Sequence, residues 1–121
     1  MTEKLEQLIE KAQDCIEEID ADELQSRLDS GNAGIVIDVR ERDELGQGLI
    51  PGAKHLSKGF LECQIEALLP DADTEVVLYC QSGRRSLLAA KSLYDMGYRK
   101  VYSLANGFKG WVMAGGNVEK K

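Results

Sequence analysis

Several residue types that would mark other kinds of protein are scarce in this chain. With 2 Pro and 12 Gly among 121 residues, a fibrous or disordered composition is excluded. The 3 cysteines, Cys15, Cys63 and Cys80, are odd in number and far apart, so neither a disulfide framework nor a C-x-x-C redox or metal motif is present. Reduced thiols are expected. A single histidine, His55, rules out a histidine-rich metal cluster and leaves one possible partner for a Cys–His nucleophile pair. Positive charge is in deficit: 15 Lys and Arg against 21 Asp and Glu give a net charge of -6, which repels a phosphate backbone. Nucleic acid is therefore not expected as a partner. No apolar run approaches the roughly 20 residues that cross a bilayer, and the N-terminal stretch is charged and helical in pattern. A cytoplasmic protein without a membrane partner is expected.

What is present suits one folded domain: 43% hydrophobic and 30% charged residues, in a chain able to bury roughly two-thirds of its unfolded surface. Leu5, Leu8, Ile9, Ala12 and Ile16 form a helical stripe with Glu and Lys opposite. Asp20 is placed to cap a second helix running to about Ser30, with Glu23 reaching back in a capping box. Ile35 to Val39 is a β-branched run that reads as a buried parallel strand. Arg40 to Lys58 is polar and Gly-rich, containing the Ile50-Pro51-Gly52 turn, and reads as a functional loop. Leu61, Ile65, Leu68 and Leu69 mark a helix ended by Pro70. Glu75 to Cys80 reads as a second strand, Leu87 to about Gly97 as a helix, Val101 to Leu104 as a third strand, and Phe108 to Ala114 as a last short helix. Strands alternating with helices predict an α/β domain whose central, mostly parallel β-sheet carries helices on both faces.

Cys80 stands out because sites in open parallel sheets form beyond the carboxyl ends of strands, and a helix follows it within six residues. Gly83 frees the intervening backbone to turn its N–H groups toward the sulfur, and the helix N-terminus adds partial positive charge. Arg84 and Arg85 would reinforce a thiolate and attract anionic substrates. A small buried hydrophobe at a strand end is the plainer reading of a lone Cys, yet such a residue has no use for a Gly and two Arg directly after it.

The segment Cys80-Gln81-Ser82-Gly83-Arg84-Arg85-Ser86 resembles the active-site loop of the rhodanese-like family in its C-x-S-G-x-R-S form. Ile37-Asp38-Val39-Arg40-Glu41 is similar to that family's strand-end D-x-R-E motif, and Ile50-Pro51-Gly52-Ala53-Lys54-His55-Leu56 to its I-P-G-A-x-[HN]-I motif. Leu104 to Trp111 is similar to its L-x-G-G-x-x-x-W segment. The resemblance covers about Ile19 to Val118 and implies two parts: an N-terminal amphipathic helical extension over 1–18 and a rhodanese-like domain over 19–118. It implies a thiosulfate sulfurtransferase type of enzyme needing no cofactor and no metal. Cys80 would attack a sulfur donor, hold the sulfur as a persulfide and pass it to cyanide or a thiol. Gln81, Ser82, Gly83, Arg84 and Arg85 would bind substrate together with Arg40, supported by Asp38 and Ser86. Three departures stand out: Asn106 replaces the first Gly of its motif, Leu49 replaces a His before I-P-G-A, and Gln81 and Ser82 are uncharged where thiosulfate-using members often carry basic residues.

Asp38 and Arg40 also fit a plain ion pair at a buried strand end, and His55 a loop hydrogen bond in place of base catalysis. Cys15 and Cys63 are expected to pack beside their helical stripes, and Trp111 to anchor the last helix. Two rival functions remain. A cysteine-dependent phosphatase or arsenate reductase resembles C-x5-R, whereas Arg85 here makes only C-x4-R. A relay or docking module, taking sulfur from or giving it to a protein, is compatible with every motif above.

Overall fold

A computed structural model describes residues 2–120; Met1, counted in the expected 1–18 extension, lies outside them. The chain runs α1 (Glu3–Cys15), β1 (Glu17–Ile19), α2 (Ala21–Ser30), β2 (Ile35–Asp38), a 3-10 turn (Arg42–Gln47), β3 (Lys54–His55), a second 3-10 turn (Lys58–Phe60), α3 (Leu61–Leu68), β4 (Val76–Tyr79), α4 (Arg84–Asp95), β5 (Val101–Leu104) and α5 (Gly107–Met113). The five strands form one sheet in the order β1-β5-β4-β2-β3, and every pairing is parallel. The α/β architecture read from the sequence is the one observed.

Side chains alternate across the sheet, as a two-residue period requires. Val76, Leu78 and Cys80 face a core completed by Ala12, Ile16, Leu61, Ile65, Leu87, Ala90 and Leu93, from α1, α3 and α4. Val77 and Tyr79 face the opposite core, built with Leu24 of α2 and Phe108 and Trp111 of α5. Trp111 is buried, donates from Nε1 to the Asn117 carbonyl (2.7 Å), and has Gly116 against its ring, where any Cβ would lie 2.3 Å from Cε2.

Two strands escaped the sequence reading. β1 is a three-residue Glu-Glu-Ile segment and β3 only two residues, both too short to show a period. β1 also straddles the 18/19 boundary expected between extension and domain, so α1 is joined to the sheet by a strand of that sheet. The α1 stripe is narrower than expected: Ala12 and Ile16 are buried, but Leu8 is 55% exposed, because the face against α4 takes only Leu5, Ile9, Ala12 and Ile16. Leu68 is likewise exposed, and α3 buries Leu61 and Ile65, with Leu69 buried just past its end. Asp20 caps α2 by accepting from the Glu23 N–H (2.8 Å), but the Glu23 carboxylate pairs with Arg27 (2.9 Å) and does not close the capping box. Among the described residues no helix is long and apolar enough to cross a membrane.

Sheet order positions the site. The chain leaves β2 toward β3 and leaves β4 toward β5, in opposite directions along the sheet, so the crevice beyond β2 and β4 is a topological switch point. Arg40 and Cys80 follow those two strands.

Candidate active site

Cys80 is the first residue past β4, and α4 begins at Arg84, earlier than the sequence suggested. Arg84 and Arg85 therefore belong to the first helical turn and not to the loop. Gly83 caps the helix with φ +99, which a side chain would oppose, and this sharp turn brings peptide N–H groups back onto the sulfur. Cys80 Sγ accepts from the N–H of Gly83 (3.1 Å) and of Ser86 (3.3 Å), and lies 3.6 Å from Ser86 Oγ. The first turn of α4 thus aims two peptide donors at the sulfur. Ser86 is thus part of the cradle as well as its support; its Oγ also contacts the Gly83 carbonyl (3.3 Å) and Ser103 Oγ (2.8 Å).

The sulfur has no exposed surface: Cys80 is 0% exposed and borders the α4-side core. The cradle is formed around a sulfur that lies below the surface.

The loop is held from below by α5, a contact the sequence motifs carry without displaying. The N–H of Phe108 donates to the Cys80 carbonyl (2.8 Å) and that of Lys109 to the Gln81 carbonyl (3.1 Å). Gly107, at φ +56, permits this approach: a Cβ there would lie 2.4 Å from the Cys80 carbonyl oxygen. Asn106 before it takes φ +64, the left-handed conformation that Asn tolerates in place of Gly. Leu49, in place of the motif's His, is tied by paired backbone hydrogen bonds to Glu119 (2.9 and 2.8 Å).

Arg40 is not at the surface of the site. Its side chain is 0% exposed and forms a fork with the equally buried Asp38, Nε to Oδ1 at 3.0 Å and Nη2 to Oδ2 at 2.7 Å. The remaining guanidinium donors reach the Gly48 carbonyl (2.8 Å), the Glu44 carbonyl (3.3 Å) and Gln81 Oε1 (3.3 Å), with the Phe108 ring 4.3 Å away. The sequence pointed to Arg40 as a substrate contact; in the structure its donors are engaged beneath the loop, where Arg40 ties Gln81 to the β2 turn. A buried pair of this kind costs about 3–5 kcal/mol to break from one side.

Arg85 is also committed. It makes a bidentate pair with Glu44, Nη1 to Oε1 at 2.6 Å and Nη2 to Oε2 at 2.8 Å. The guanidinium holds the Glu44 carboxyl at about 2, well below the usual carboxylate range. Arg84 is exposed and, with Ser82 and Gly83, lines a pocket of about 210 Å³ that α1 completes through Ile9 and Gln13. His55 lies on β3, where its Nε2–H donates to the Arg40 carbonyl (2.7 Å), so it orders the loop. Cys15 and Cys63, expected to pack, are exposed. Cys63 sits between Leu61 and Ile65, and the helical period turns it outward when those two point in.

Comparisons with known proteins give the family and the fold. The rhodanese-like domain model matches residues 20–114. A protein named sulfurtransferase from Allochromatium vinosum is 34% identical over 100 residues, spanning 83% of this chain and 92% of that protein. Among solved structures, a protein of unknown function from Rhodopseudomonas palustris, described as a possible tyrosine phosphatase, superposes with a TM-score of 0.90 at 30% identity, covering 98% of this chain and 96% of that one. The thiosulfate sulfurtransferase of Pseudomonas aeruginosa superposes with a TM-score of 0.83 at 30% identity, covering 97% of this chain but 22% of the larger protein. With its motifs, its parallel sheet and a cysteine cradled between β4 and α4, this chain belongs to the rhodanese-like family of sulfurtransferases.

Proposed function

We propose that the protein moves sulfane sulfur by way of a Cys80 persulfide. In the first half-reaction the Cys80 thiolate attacks the outer sulfur of a donor such as thiosulfate; the S–S bond of the donor breaks, sulfite leaves with the electron pair, and the transferred sulfur remains as a terminal persulfide anion. In the second, cyanide or a thiol attacks that terminal sulfur and returns the thiolate. Charge stays on sulfur throughout, so stabilising one sulfur anion serves both steps, and no metal or organic cofactor is required. The observation that carries the reading is the pair of N–H donors, from Gly83 and Ser86, aimed at Sγ.

The short cradle also weighs against a phosphatase or arsenate reductase. A tetrahedral oxyanion needs a wider loop with a free guanidinium to grip its oxygens, whereas helix α4 starts four residues after Cys80 and Arg85 is taken by Glu44. A relay in which another protein donates or accepts the sulfur is a second reading, supported by α1 reaching the pocket beside Ser82, Gly83 and Arg84. Three unpaired cysteines suit a reducing compartment, and we place the chemistry in the cytoplasm.

The test is intact-protein mass spectrometry after exposure to thiosulfate, in a Cys15→Ser/Cys63→Ser background that leaves Cys80 as the sole thiol. One added sulfur, lost on cyanide treatment and absent in Cys80→Ser, is expected. Retention of the added sulfur by Cys80→Ser would end the assignment. Slow thiosulfate:cyanide turnover together with rapid persulfide exchange with a protein would select the relay.

A further inference from the structure

Of the two guanidinium groups in the first turn of α4, that of Arg85 is paired with a carboxylate. Arg85 and Glu44 form their two-point pair with both side chains still partly in solvent, 39% and 31% exposed, so the pair stands at the edge of the site and not beneath it. Glu44 is itself held in place: its Oε1 accepts from the Glu41 N–H (2.9 Å), and its carbonyl accepts from Arg40. Beside it lies a shallow pocket of about 310 Å³ lined by Asp43, Glu44, Gly46, Gln47 and Gln81. Gln81 directly follows the nucleophile, and both ionisable side chains of that lining are carboxylates. Arg84 lines a different pocket, with Ile9, Gln13 and Glu18. With Arg85 paired to Glu44, Asp43 leaves the rim beside Gln81 with a net negative charge.

We propose that Glu44 is the residue that sets the charge preference of the sulfur donor, disfavouring dianions such as thiosulfate relative to persulfides of lower charge. The inference rests on the Cys80 persulfide reading and adds the donor class to it. Without Glu44, Arg85 would present an uncompensated cation beside the loop. Glu44 instead holds that cation in an internal contact, and a dianion approaching Gln81 meets the carboxylates of Asp43 and Glu44, with the Arg40 guanidinium already paired to Asp38. The field at the mouth acts in proportion to donor charge, so it discriminates between donors that undergo the same S–S exchange.

The experiment measures the second-order rate of Cys80 persulfide formation by rapid-quench mass spectrometry. Thiosulfate is compared with cysteine hydropersulfide, which carries one net negative charge. For a donor charge about 6 Å from the guanidinium in a water-like medium, Glu44→Gln should speed loading from thiosulfate about tenfold and from the monoanionic persulfide about threefold. The thiosulfate gain should shrink as salt is raised. The double variant Glu44→Gln/Arg85→Gln should return the ratio of the thiosulfate to the persulfide rate to that of the unaltered protein, since it restores the net charge. Arg85→Gln alone, which leaves Glu44 unpaired, should slow thiosulfate more than the persulfide, and this arm stands even if Glu44→Gln folds poorly. Equal changes for the two donors, or a slower thiosulfate reaction in Glu44→Gln, overturn the proposal while leaving the persulfide intact. If no donor places sulfur on Cys80 in any variant, the persulfide reading itself fails and the proposal with it.

Discussion

Gly107→Ala probes how the proposed nucleophile, Cys80, is held without touching any side chain of the site. Two costs combine at this position. An alanine at φ +56 sits in the left-handed region, worth about 1–2 kcal/mol. Its Cβ would also lie 2.4 Å from the Cys80 carbonyl oxygen and 2.7 Å from the Gln81 carbonyl carbon, so the backbone of the catalytic loop must move, an overpacking cost of about 1–3 kcal/mol. The total of about 2–5 kcal/mol corresponds to a fall in Tm of roughly 8–20 °C for a domain of this size. Two other glycines separate the contributions. Gly97→Ala, at φ +107 in open space, incurs only the backbone strain, about 1–3 kcal/mol. Gly46→Ala meets nothing and has no positive φ, so it should be neutral or stabilising by up to about 1 kcal/mol. Urea unfolding followed by circular dichroism gives the stabilities, and the rate of persulfide formation on Cys80 gives the functional arm. Only Gly107→Ala should slow that rate, because only there does the added carbon push on Cys80, the residue proposed to carry the sulfur. A Gly107→Ala protein as stable and as reactive as Gly97→Ala would refute the claim that α5 sets the position of the loop.

Two further expectations concern groups around the sulfur. Ser86→Ala removes the hydroxyl partner of the buried Ser103 and should cost about 1–3 kcal/mol, while Ser86→Ala/Ser103→Ala should recover much of it, since no buried donor is then stranded. Persulfide formation should persist in both, because the Ser86 N–H remains; its abolition in Ser86→Ala would show that the hydroxyl, and not the peptide, carries the sulfur anion. The Arg85–Glu44 pair should show its contribution in the pH dependence of stability. The folded carboxyl lies near 2, below its ordinary 4.5, so its stabilisation is fully present above pH 4.5 and is lost as pH falls through about 2. For a pair this exposed the effect is about 1 kcal/mol or less. Urea unfolding of the unaltered protein and Glu44→Gln at pH 6 and pH 2.5 should show a gap at the higher pH that narrows at the lower; a gap that widens on acidification would contradict the pairing.

The sequence by itself determined the α/β class, the buried strands at β2, β4 and β5, and Cys80 as the candidate nucleophile. Those features are local: a β-branched run needs burial on both faces, and a glycine three residues after a strand-end cysteine frees the turn that brings amides to the sulfur. Even the tolerance of Asn at 106 followed from a backbone preference of one residue. Only the tertiary structure decided what the charges do. Arg40 and Arg85 read alike along the chain, as cations near an anion site, yet one is sealed against Asp38 and the other is neutralised by Glu44, 41 residues away. Charge pairing depends on which loops the sheet order brings together, and here the β2–β3 connection meets the end of β4. The same holds for the support given by Phe108 and Lys109 through their peptide N–H groups, since a backbone donor leaves no mark in the identity of its side chain.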